Sequence, residues 1–220
     1  MTAPDPHEGV ILLHGLARTR RSMRPMAVFL DQGGYLVVNV GYPSCRYPIE
    51  TLAQSVIPPA IAALRRQQAK IIHFVTHSMG AILLRAFLAC EPLPELGRVV
   101  MLCPPNQGSE LVDYFGRFAW FRILFGPAGR QLGTGPDQLP ACLGPATFPA
   151  GIITGDRPAP GFGRFFPGPS DGRVSVARTR LIGMHDFLVL PHGHCLIMRQ
   201  REVQEQVAEF LANGRFNRAA

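Results

Sequence analysis

The sequence predicts an α/β fold, with a mostly parallel sheet of about six strands and helices on both faces. Short apolar runs rich in Val, Ile and Leu recur along the 220 residues, and segments with helical periodicity lie between them. Runs that are apolar throughout are typical of strands buried on both faces. Because 47% of the residues are hydrophobic, the chain has enough apolar surface for a substantial core. We therefore expect a single domain over residues 1–220.

Each predicted strand is a short apolar run, and the helical patterns fall between the runs. The strands are predicted at residues 10–13, 35–40, 71–76, 98–102, 151–155 and 187–190. A first helix over residues 24–32 ends at Gly33-Gly34, and a second pattern over 50–69 contains Pro58-Pro59, which should break or kink it. A final amphipathic helix is predicted around residues 199–212. Strands that alternate with helices imply a mostly parallel sheet.

Residues 104–148 interrupt this alternation. The segment holds many Gly and Pro residues around an aromatic stretch, so it is too irregular for the sheet scaffold and too apolar for a plain loop. We predict a short cap insertion at about residues 108–148. Residues 157–169, dense in Gly, Pro and Phe, are predicted to form a loop.

The charge pattern argues against a nucleic-acid partner. The formal charge is +7, but the arginines are scattered, Lys70 is the only lysine, and no stripe of basic and aromatic residues appears. The densest basic group comprises Arg18, Arg20, Arg21 and Arg24. Such a group either draws acidic substrates or anionic lipid surfaces, or is simply a solvated loop.

Composition also suggests a compartment. No stretch of eighteen uncharged apolar residues appears, and the first eight residues, M-T-A-P-D-P-H-E, are neither basic nor apolar. The five cysteines are odd in number and show no paired spacing. We therefore expect a cytoplasmic protein in a reducing environment.

The most informative segment is residues 71–80, which read I-I-H-F-V-T-H-S-M-G. An apolar, β-branched strand ends there in a turn of small residues that carries Ser78, and a helical pattern follows. At such a turn the hydroxyl projects above the carboxyl edge of the sheet, where ligands of parallel sheets bind. The N–H groups that open the helix, beginning with Met79, are left free to stabilise an oxyanion.

The segment V-T-H-S-M-G resembles the nucleophile elbow of α/β-hydrolases, in particular the small lipase and esterase branch. Thr76 replaces the usual first glycine. The segment V-I-L-L-H-G-L at residues 10–16 resembles the family's oxyanion loop. The resemblance covers nearly the whole chain and implies a minimal α/β-hydrolase fold. It further implies a Ser78 nucleophile and oxyanion-hole N–H groups from Leu16 and Met79.

A serine nucleophile needs a general base, and the family places the residues in the order Ser, Asp or Glu, His. Three histidines follow Ser78, namely His185, His192 and His194. The segment L-P-H-G-H-C-L-I-M resembles the family's stretch of strand, small residue, histidine and helix, which favours His194. His192 is the second choice. A metal site on this His-x-His pair lacks accompanying ligands, so we expect no metal and no cofactor.

The acid should follow the strand at residues 151–155. The segment S-D-G-R-V-S-V resembles the family's D-G-x-V signature and makes Asp171 the candidate, although Asp-Gly is also a common turn pair. Asp156, closer to the end of the strand, is the alternative.

Residues 111–125 place Phe118, Phe121 and Phe125 at helical spacing. They follow P-P-N-Q-G-S-E, which resembles the family's loop at the rim of the site. We interpret the segment as a cap that lines an acyl pocket and could meet a lipid interface. The alternative is a helix packed into the core.

The resemblance implies hydrolysis of a small-molecule acyl ester through an acyl-enzyme. Thioester hydrolysis and acyl transfer use the same atoms and remain alternatives, as does a hydrolase-fold protein that only binds. The sequence does not indicate an oligomeric state.

Overall fold

The computed structural model describes residues 7–218, and a six-stranded sheet forms their centre. The strands are β1 (Glu8–Leu13), β2 (Leu36–Val40), β3 (Ile71–His77), β4 (Leu96–Leu102), β5 (Ala150–Gly155) and β6 (Asp186–Leu190). Their order is β2-β1-β3-β4-β5-β6, and every neighbouring pair is parallel. The predicted mostly parallel sheet of six strands is confirmed, and each predicted strand corresponds to one in the structure.

Eight α-helices accompany the sheet in the described residues. They are α1 (Arg20–Gln32), α2 (Ile49–Arg66), α3 (Met79–Cys90), α4 (Glu110–Phe115), α5 (Ala119–Arg130), α6 (Leu139–Cys142), α7 (Val176–Thr179) and α8 (Arg201–Asn213). Short 3₁₀ turns occupy Gly163–Phe165 and His194–Arg199. None of the helices described is long and apolar enough to cross a membrane.

Alternate residues of the central strands face two separate hydrophobic cores. On β1, Ile11 and Leu13 pack in the core that also holds the apolar residues of α2 and α3. Val10 and Leu12 face the opposite core, which contains residues of α1 and α8. All four side chains are fully buried, and burying each contributes about 1.5–3 kcal/mol. Helices therefore cover both faces of the sheet, as the sequence predicts.

Helix α2 does not break at Pro58-Pro59, which was one of the two outcomes expected for the second helical segment. It runs from Ile49 to Arg66 with both prolines inside it. Both prolines are exposed. The carbonyls of Gln54 and Ser55, four residues earlier, lose an N–H partner because proline has none, but on this side water can replace it.

The segment between β4 and β5, where the sequence predicts the insertion, forms α4, α5 and α6. Within α5, Gly126 has a φ of 60° and a ψ of −159°, so the helix is interrupted there. A Cβ at Gly126 would lie 1.7 Å from the carbonyl oxygen of Cys45. Only glycine fits this contact, which packs the segment against the loop before α2.

A buried arginine of α3, the helix that follows Ser78, forms hydrogen bonds to both ends of this segment. Arg85 of α3 is 4% exposed and donates hydrogen bonds to the carbonyls of Asn106 at 3.1 Å, Pro140 at 3.1 Å and Gly144 at 2.7 Å. Burial lowers the pKa of Arg85 to about 10, so the guanidinium remains charged near neutral pH. Its charge is satisfied by these oxygens.

Candidate active site

Ser78 occupies a strained turn between β3 and α3. Its φ of 54° and ψ of −124° lie outside the regions that L-residues normally adopt. The turn is held by a hydrogen bond from the Ser78 N–H to the carbonyl of Leu102 in β4, at 2.8 Å. Strain of this kind persists only where the surroundings enforce it, and it is common at functional sites.

Gly80 brings the loop after β1 against this turn. A Cβ at Gly80 would lie 2.6 Å from the carbonyl oxygen of Leu13 and 2.9 Å from that of His14. The close approach places the loop that carries Leu16 beside the start of α3. In the described part of the chain, the N–H groups of Leu16 and Met79 have no hydrogen-bond acceptor. Both are therefore available to an oxygen atom of a ligand.

His14 fixes the conformation of that loop. Its Nδ1 lies 2.9 Å from the carbonyl of Gly15, so Nδ1 donates, and its Nε2 accepts the N–H of Tyr42 at 3.3 Å. The Tyr42 ring stacks on the imidazole, and its hydroxyl donates to the His14 carbonyl. Burial lowers the pKa of His14, so the ring stays neutral in this tautomer.

Asp171 and His194 are in direct contact. The Nδ1 of His194 lies 2.7 Å from Oδ2 of Asp171, while Oδ1 accepts the N–H groups of Arg173 and Val174, each at 2.8 Å. Burial by itself raises the pKa of Asp171, but the His194 charge and the hydrogen bonds outweigh it and leave the pKa below its usual value. An ionised carboxylate can orient the imidazole and stabilise its charged form.

His77, next to Ser78 in the chain, supports His194 from the other side. Its Nε2 donates to the carbonyl of His194 at 3.0 Å, and the two rings lie 4.8 Å apart. Burial, followed by the nearby His194 charge, lowers the pKa of His77 well below its usual value. The His77 ring is therefore a neutral donor that helps to position His194.

The alternatives weighed from the sequence lie elsewhere. His192 faces Glu202, with 3.3 Å between Nε2 and the carboxylate. His185 precedes β6 at the amino edge of the sheet, opposite the edge that carries Ser78. Asp156 pairs with Arg157 at 3.5 Å. The structure thus brings Ser78, Asp171 and His194 to the same edge, and none of the alternatives contacts Asp171 or His194 through its side chain.

Cys103 is a neighbour of this group that the sequence reasoning missed. It directly follows β4, is fully buried and has a φ of 50°. Its sulfur and the nearest Asp171 and His194 ligand atoms lie within 4.8 Å of one another. Burial, followed by the charge of Asp171, raises the pKa of the thiol, which therefore stays neutral beside the carboxylate. Its place at the carboxyl end of a central strand was the available signal.

These three side chains are a poor metal site as they stand. The 2.7 Å between His194 Nδ1 and Asp171 Oδ2 is a direct hydrogen bond. That separation is too short for two ligands of one tetrahedral zinc ion.

A cavity of about 350 Å³ opens beside Ser78 and His194. Its apolar wall comes largely from α4, α5 and the segment that follows them. The residues of that wall are Leu111, Val112, Phe121, Leu124, Phe125 and Leu132. Leu16, Arg18, Arg173 and Val174 line other parts of the same cavity. A cavity with one apolar wall next to a serine and a histidine can receive an apolar part of a ligand.

Phe118 lies outside the cavity, although the sequence predicted that it would line the pocket together with Phe121 and Phe125. Phe121 and Phe125 line the cavity, whereas Phe118 is 39% exposed and lies outside its lining. The expectation assumed one helix through all three, but α5 begins at Ala119 and Phe118 precedes it in an extended conformation. The helical spacing therefore does not reach Phe118, which stacks on Trp120 instead.

Thr76, where the resembling motif has glycine, is fully buried at the end of β3. Its hydroxyl has no hydrogen-bond partner within residues 7–218. A buried hydroxyl without a hydrogen-bond partner lowers the free energy of unfolding, so Thr76 makes the fold less stable.

The chain matches the family model described as the alpha/beta hydrolase family over residues 10–213. No curated protein matches it in sequence. Among solved structures, a lipase of Bacillus licheniformis, BlEst2 in mature form, is similar with a TM-score of 0.69 at 19% identity. The similarity covers 96% of this chain and 94% of the lipase.

Two further structures share the fold at lower identity. Lipase B of Aspergillus fumigatus has a TM-score of 0.71 at 14% identity, covering 96% of this chain and 54% of that protein. The metagenomic carboxyl esterase MGS0156 has a TM-score of 0.66 at 17% identity, covering 89% and 67%. At these identities the similarity concerns the fold.

Proposed function

Because the chain belongs to the alpha/beta hydrolase family, we propose that it hydrolyses carboxylic esters through an acyl-enzyme on Ser78. The observation that carries the proposal is the strained turn of Ser78, which lines the same cavity as His194, the hydrogen-bond partner of Asp171. Lipases and a carboxyl esterase among the similar structures support the same class of reaction.

In the proposed reaction, His194 takes the proton of the Ser78 hydroxyl as that oxygen attacks the ester carbonyl. The carbonyl oxygen becomes an oxyanion, which accepts hydrogen bonds from the N–H groups of Leu16 and Met79. As the tetrahedral intermediate collapses, His194 gives its proton to the leaving alcohol. Water then repeats the sequence on the acyl-enzyme, and the carboxylic acid is released with Ser78 restored.

The groups around the triad support these roles. Asp171 holds His194 with Nδ1 protonated, which leaves Nε2 free to accept the serine proton. Neutral His77 and neutral His14 hold His194 and the oxyanion loop respectively. The cavity wall that includes Phe121 and Phe125 would receive the acyl chain. No step of this mechanism requires a cofactor.

A reducing compartment is part of the proposal. Cys45, Cys90, Cys103, Cys142 and Cys195 are all free thiols in the structure. This supports a cytoplasmic location for the enzyme.

The test combines labelling with kinetics. A fluorophosphonate probe should label the protein on Ser78, and Ser78→Ala should abolish labelling and reduce hydrolysis of 4-nitrophenyl esters by at least about 10³-fold. His194→Ala should be similarly inactive, whereas His192→Ala should lose far less. An unlabelled, inactive protein would instead indicate a hydrolase fold that only binds.

A further inference from the structure

Two arginines, Arg18 and Arg173, line the cavity beside Ser78 and His194, and no carboxylate that the structure describes pairs with either guanidinium group. Among residues 7–218, neither Arg18 nor Arg173 makes a hydrogen bond through its guanidinium or an ion pair with a carboxylate. Arg178, by contrast, pairs with Glu110 at 3.1 Å. In the described part of the chain, the Arg173 guanidinium lies over the ring of Phe162, 5.6 Å from its centre.

No acidic residue offsets the two guanidinium groups within the lining. Asp and Glu are absent from the described residues that line the cavity. The Arg18 charge also reaches the site, because it adds to the lowering of the His77 pKa by burial and by His194. A concave site lined by one sign of charge concentrates the opposite charge, and here the formal charge of the chain is +7.

The two arginines belong to the loops that carry the proposed catalytic groups. Arg18 comes two residues after Leu16 in the loop that follows β1. Arg173 is anchored through its own N–H, which donates to Asp171 Oδ1 at 2.8 Å. The backbones of Arg18 and Arg173 are therefore fixed relative to the oxyanion loop and to His194. Only the side chains of the two arginines have to adjust to a ligand.

Arg173 and His194 also line a second cavity, of about 340 Å³, next to the first. Its polar lining residues include Arg157, Gln200 and Asp171. The Asp171 carboxylate is already engaged by His194 and by the N–H groups of Arg173 and Val174. The apolar wall of the first cavity lies on the side of α4 and α5. An ester bound with its acyl chain on that wall would leave its alcohol portion near His194, the proposed donor to the leaving oxygen, and near Arg173.

We propose that the enzyme prefers esters whose alcohol portion carries a phosphate, which Arg18 and Arg173 bind. The inference rests on the proposed function, since it names a substrate class for the same site. Planar guanidinium groups bind phosphate oxygens through paired N–H donors, and such charge-assisted hydrogen bonds are stronger than neutral ones. The phosphate contributes only to binding, and the bond that breaks is still the carboxylic ester bond.

The kinetic test uses three octanoyl esters that share an acyl chain. These are 1-octanoylglycerol 3-phosphate, 1-octanoylglycerol and octanoylcholine, each measured below its aggregation concentration. We expect kcat/KM to be about tenfold higher for the phosphate ester than for the neutral one, and lowest for the cationic one. This preference should shrink with added salt.

Arg18→Gln and Arg173→Gln should each reduce the ratio of kcat/KM between the phosphate and neutral esters by about three- to tenfold. Arg66→Gln is the matched control, because Arg66 is an exposed arginine at the end of α2, away from both cavities. It should leave the ratio unchanged. Equal rates on all three esters, or equal ratios in all three variants, would overturn the inference while leaving ester hydrolysis intact.

A binding measurement separates this inference from catalysis. Titration calorimetry with octyl phosphate and with octyl glucoside compares an anionic and a neutral ligand that carry no ester. Octyl phosphate should bind at least about tenfold more tightly, and the advantage should fall in Arg18→Gln and Arg173→Gln but not in Arg66→Gln. Binding with no such advantage would overturn the phosphate preference. Binding with it, but without hydrolysis of any ester, would overturn the proposed function alone.

Discussion

The carboxylate of Asp171 uses its two oxygens for different partners: Oδ2 contacts His194 at 2.7 Å, and Oδ1 accepts two backbone N–H groups. Asp171→Asn should therefore remove the negative charge that stabilises protonated His194 and disturb its tautomer. We expect kcat to fall by about 10³-fold or more with the fold retained. Asp156→Asn is the control and should stay near normal, because Asp156 contacts Arg157 instead. Similar losses in both variants would refute the assignment of Asp171.

Phe121 and Phe118 offer a matched pair within the same segment. Phe121 is 6% exposed and lines the cavity, whereas Phe118 lies outside the lining. Phe121→Ala should lower kcat/KM for octanoate esters by about tenfold more than for acetate esters, because each buried CH₂ contributes up to about 0.8 kcal/mol. Phe118→Ala should leave this chain-length preference unchanged. Kinetics on 4-nitrophenyl acetate and octanoate test this, and equal losses on both esters would mean that Phe121 serves packing alone.

The outer side of α5 exposes apolar residues and should bind a lipid surface. Ile123 is 84% exposed beside exposed Arg122, whereas Leu124, which is 60% exposed, stands at the mouth of the cavity that it lines. Ile123→Ser should reduce cosedimentation with phosphatidylglycerol vesicles by about threefold. Ile182→Ser is the control, since Ile182 is 82% exposed near the amino edge of the sheet. Equal vesicle binding by the two variants and the unaltered protein would show that α5 is not the contact.

Buried His73 should make folding stability depend on pH. Burial, followed by the charge of Arg98, lowers its pKa from 6.5 to about 4. Below pH 6.5 the unfolded chain binds a proton that the folded chain does not, so stability falls as the pH drops from 6.5 towards 4. The loss from this residue is on the order of 3 kcal/mol at most.

His73→Asn tests this dependence, because its side-chain oxygen can still accept the Arg98 N–H that His73 Nδ1 accepts at 2.8 Å. Urea unfolding at several pH values between 7 and 4.5 should give a shallower fall in the free energy of unfolding for the variant. Parallel curves for the two proteins would exclude His73 as a source of the dependence.

Thr76→Val should keep or raise the stability of the protein. The Thr76 hydroxyl is buried without a partner in the described residues, and valine replaces it with a methyl group of similar shape. We expect the free energy of unfolding to rise by up to about 1 kcal/mol. Thermal and urea unfolding measure the change, and a clear loss of stability would show that the hydroxyl has a partner, such as a bound water.

The strands and the turn at Ser78 could be predicted because each is determined by a short stretch of sequence. Buried parallel strands are short apolar runs, so all six were found, and the turn at Ser78 followed from its small residues. Helix α1 starts at Arg20, four residues before the predicted start, so the prediction missed its first turn, including the buried Met23. The prediction for Phe118 failed because spacing does not show where a helix begins.

Other features depend on contacts between distant parts of the chain. Cys103 lies next to Asp171 only because β4 and the loop after β5 meet at one edge of the sheet. Arg173 was noted in the sequence only as part of the Asp171 motif. Its place in the cavity with Arg18 requires the loops after β1 and β5 to converge, and no periodicity reports such a convergence.

The hydrogen bonds of Arg85 have a consequence for protein engineering. They hold Asn106 at one end of the inserted segment and Pro140 and Gly144 at the other. The chain between these anchors, which supplies Phe121 and Phe125 to the cavity, is thus a module with its two ends clamped to the helix that follows Ser78. The segment is also held along its length, because Glu110 binds Ser175 and Arg178 and because Gln131 binds Ile49 and Glu50. Single substitutions on the cavity side of this segment are therefore the way to reshape the cavity wall, because they leave both sets of contacts in place.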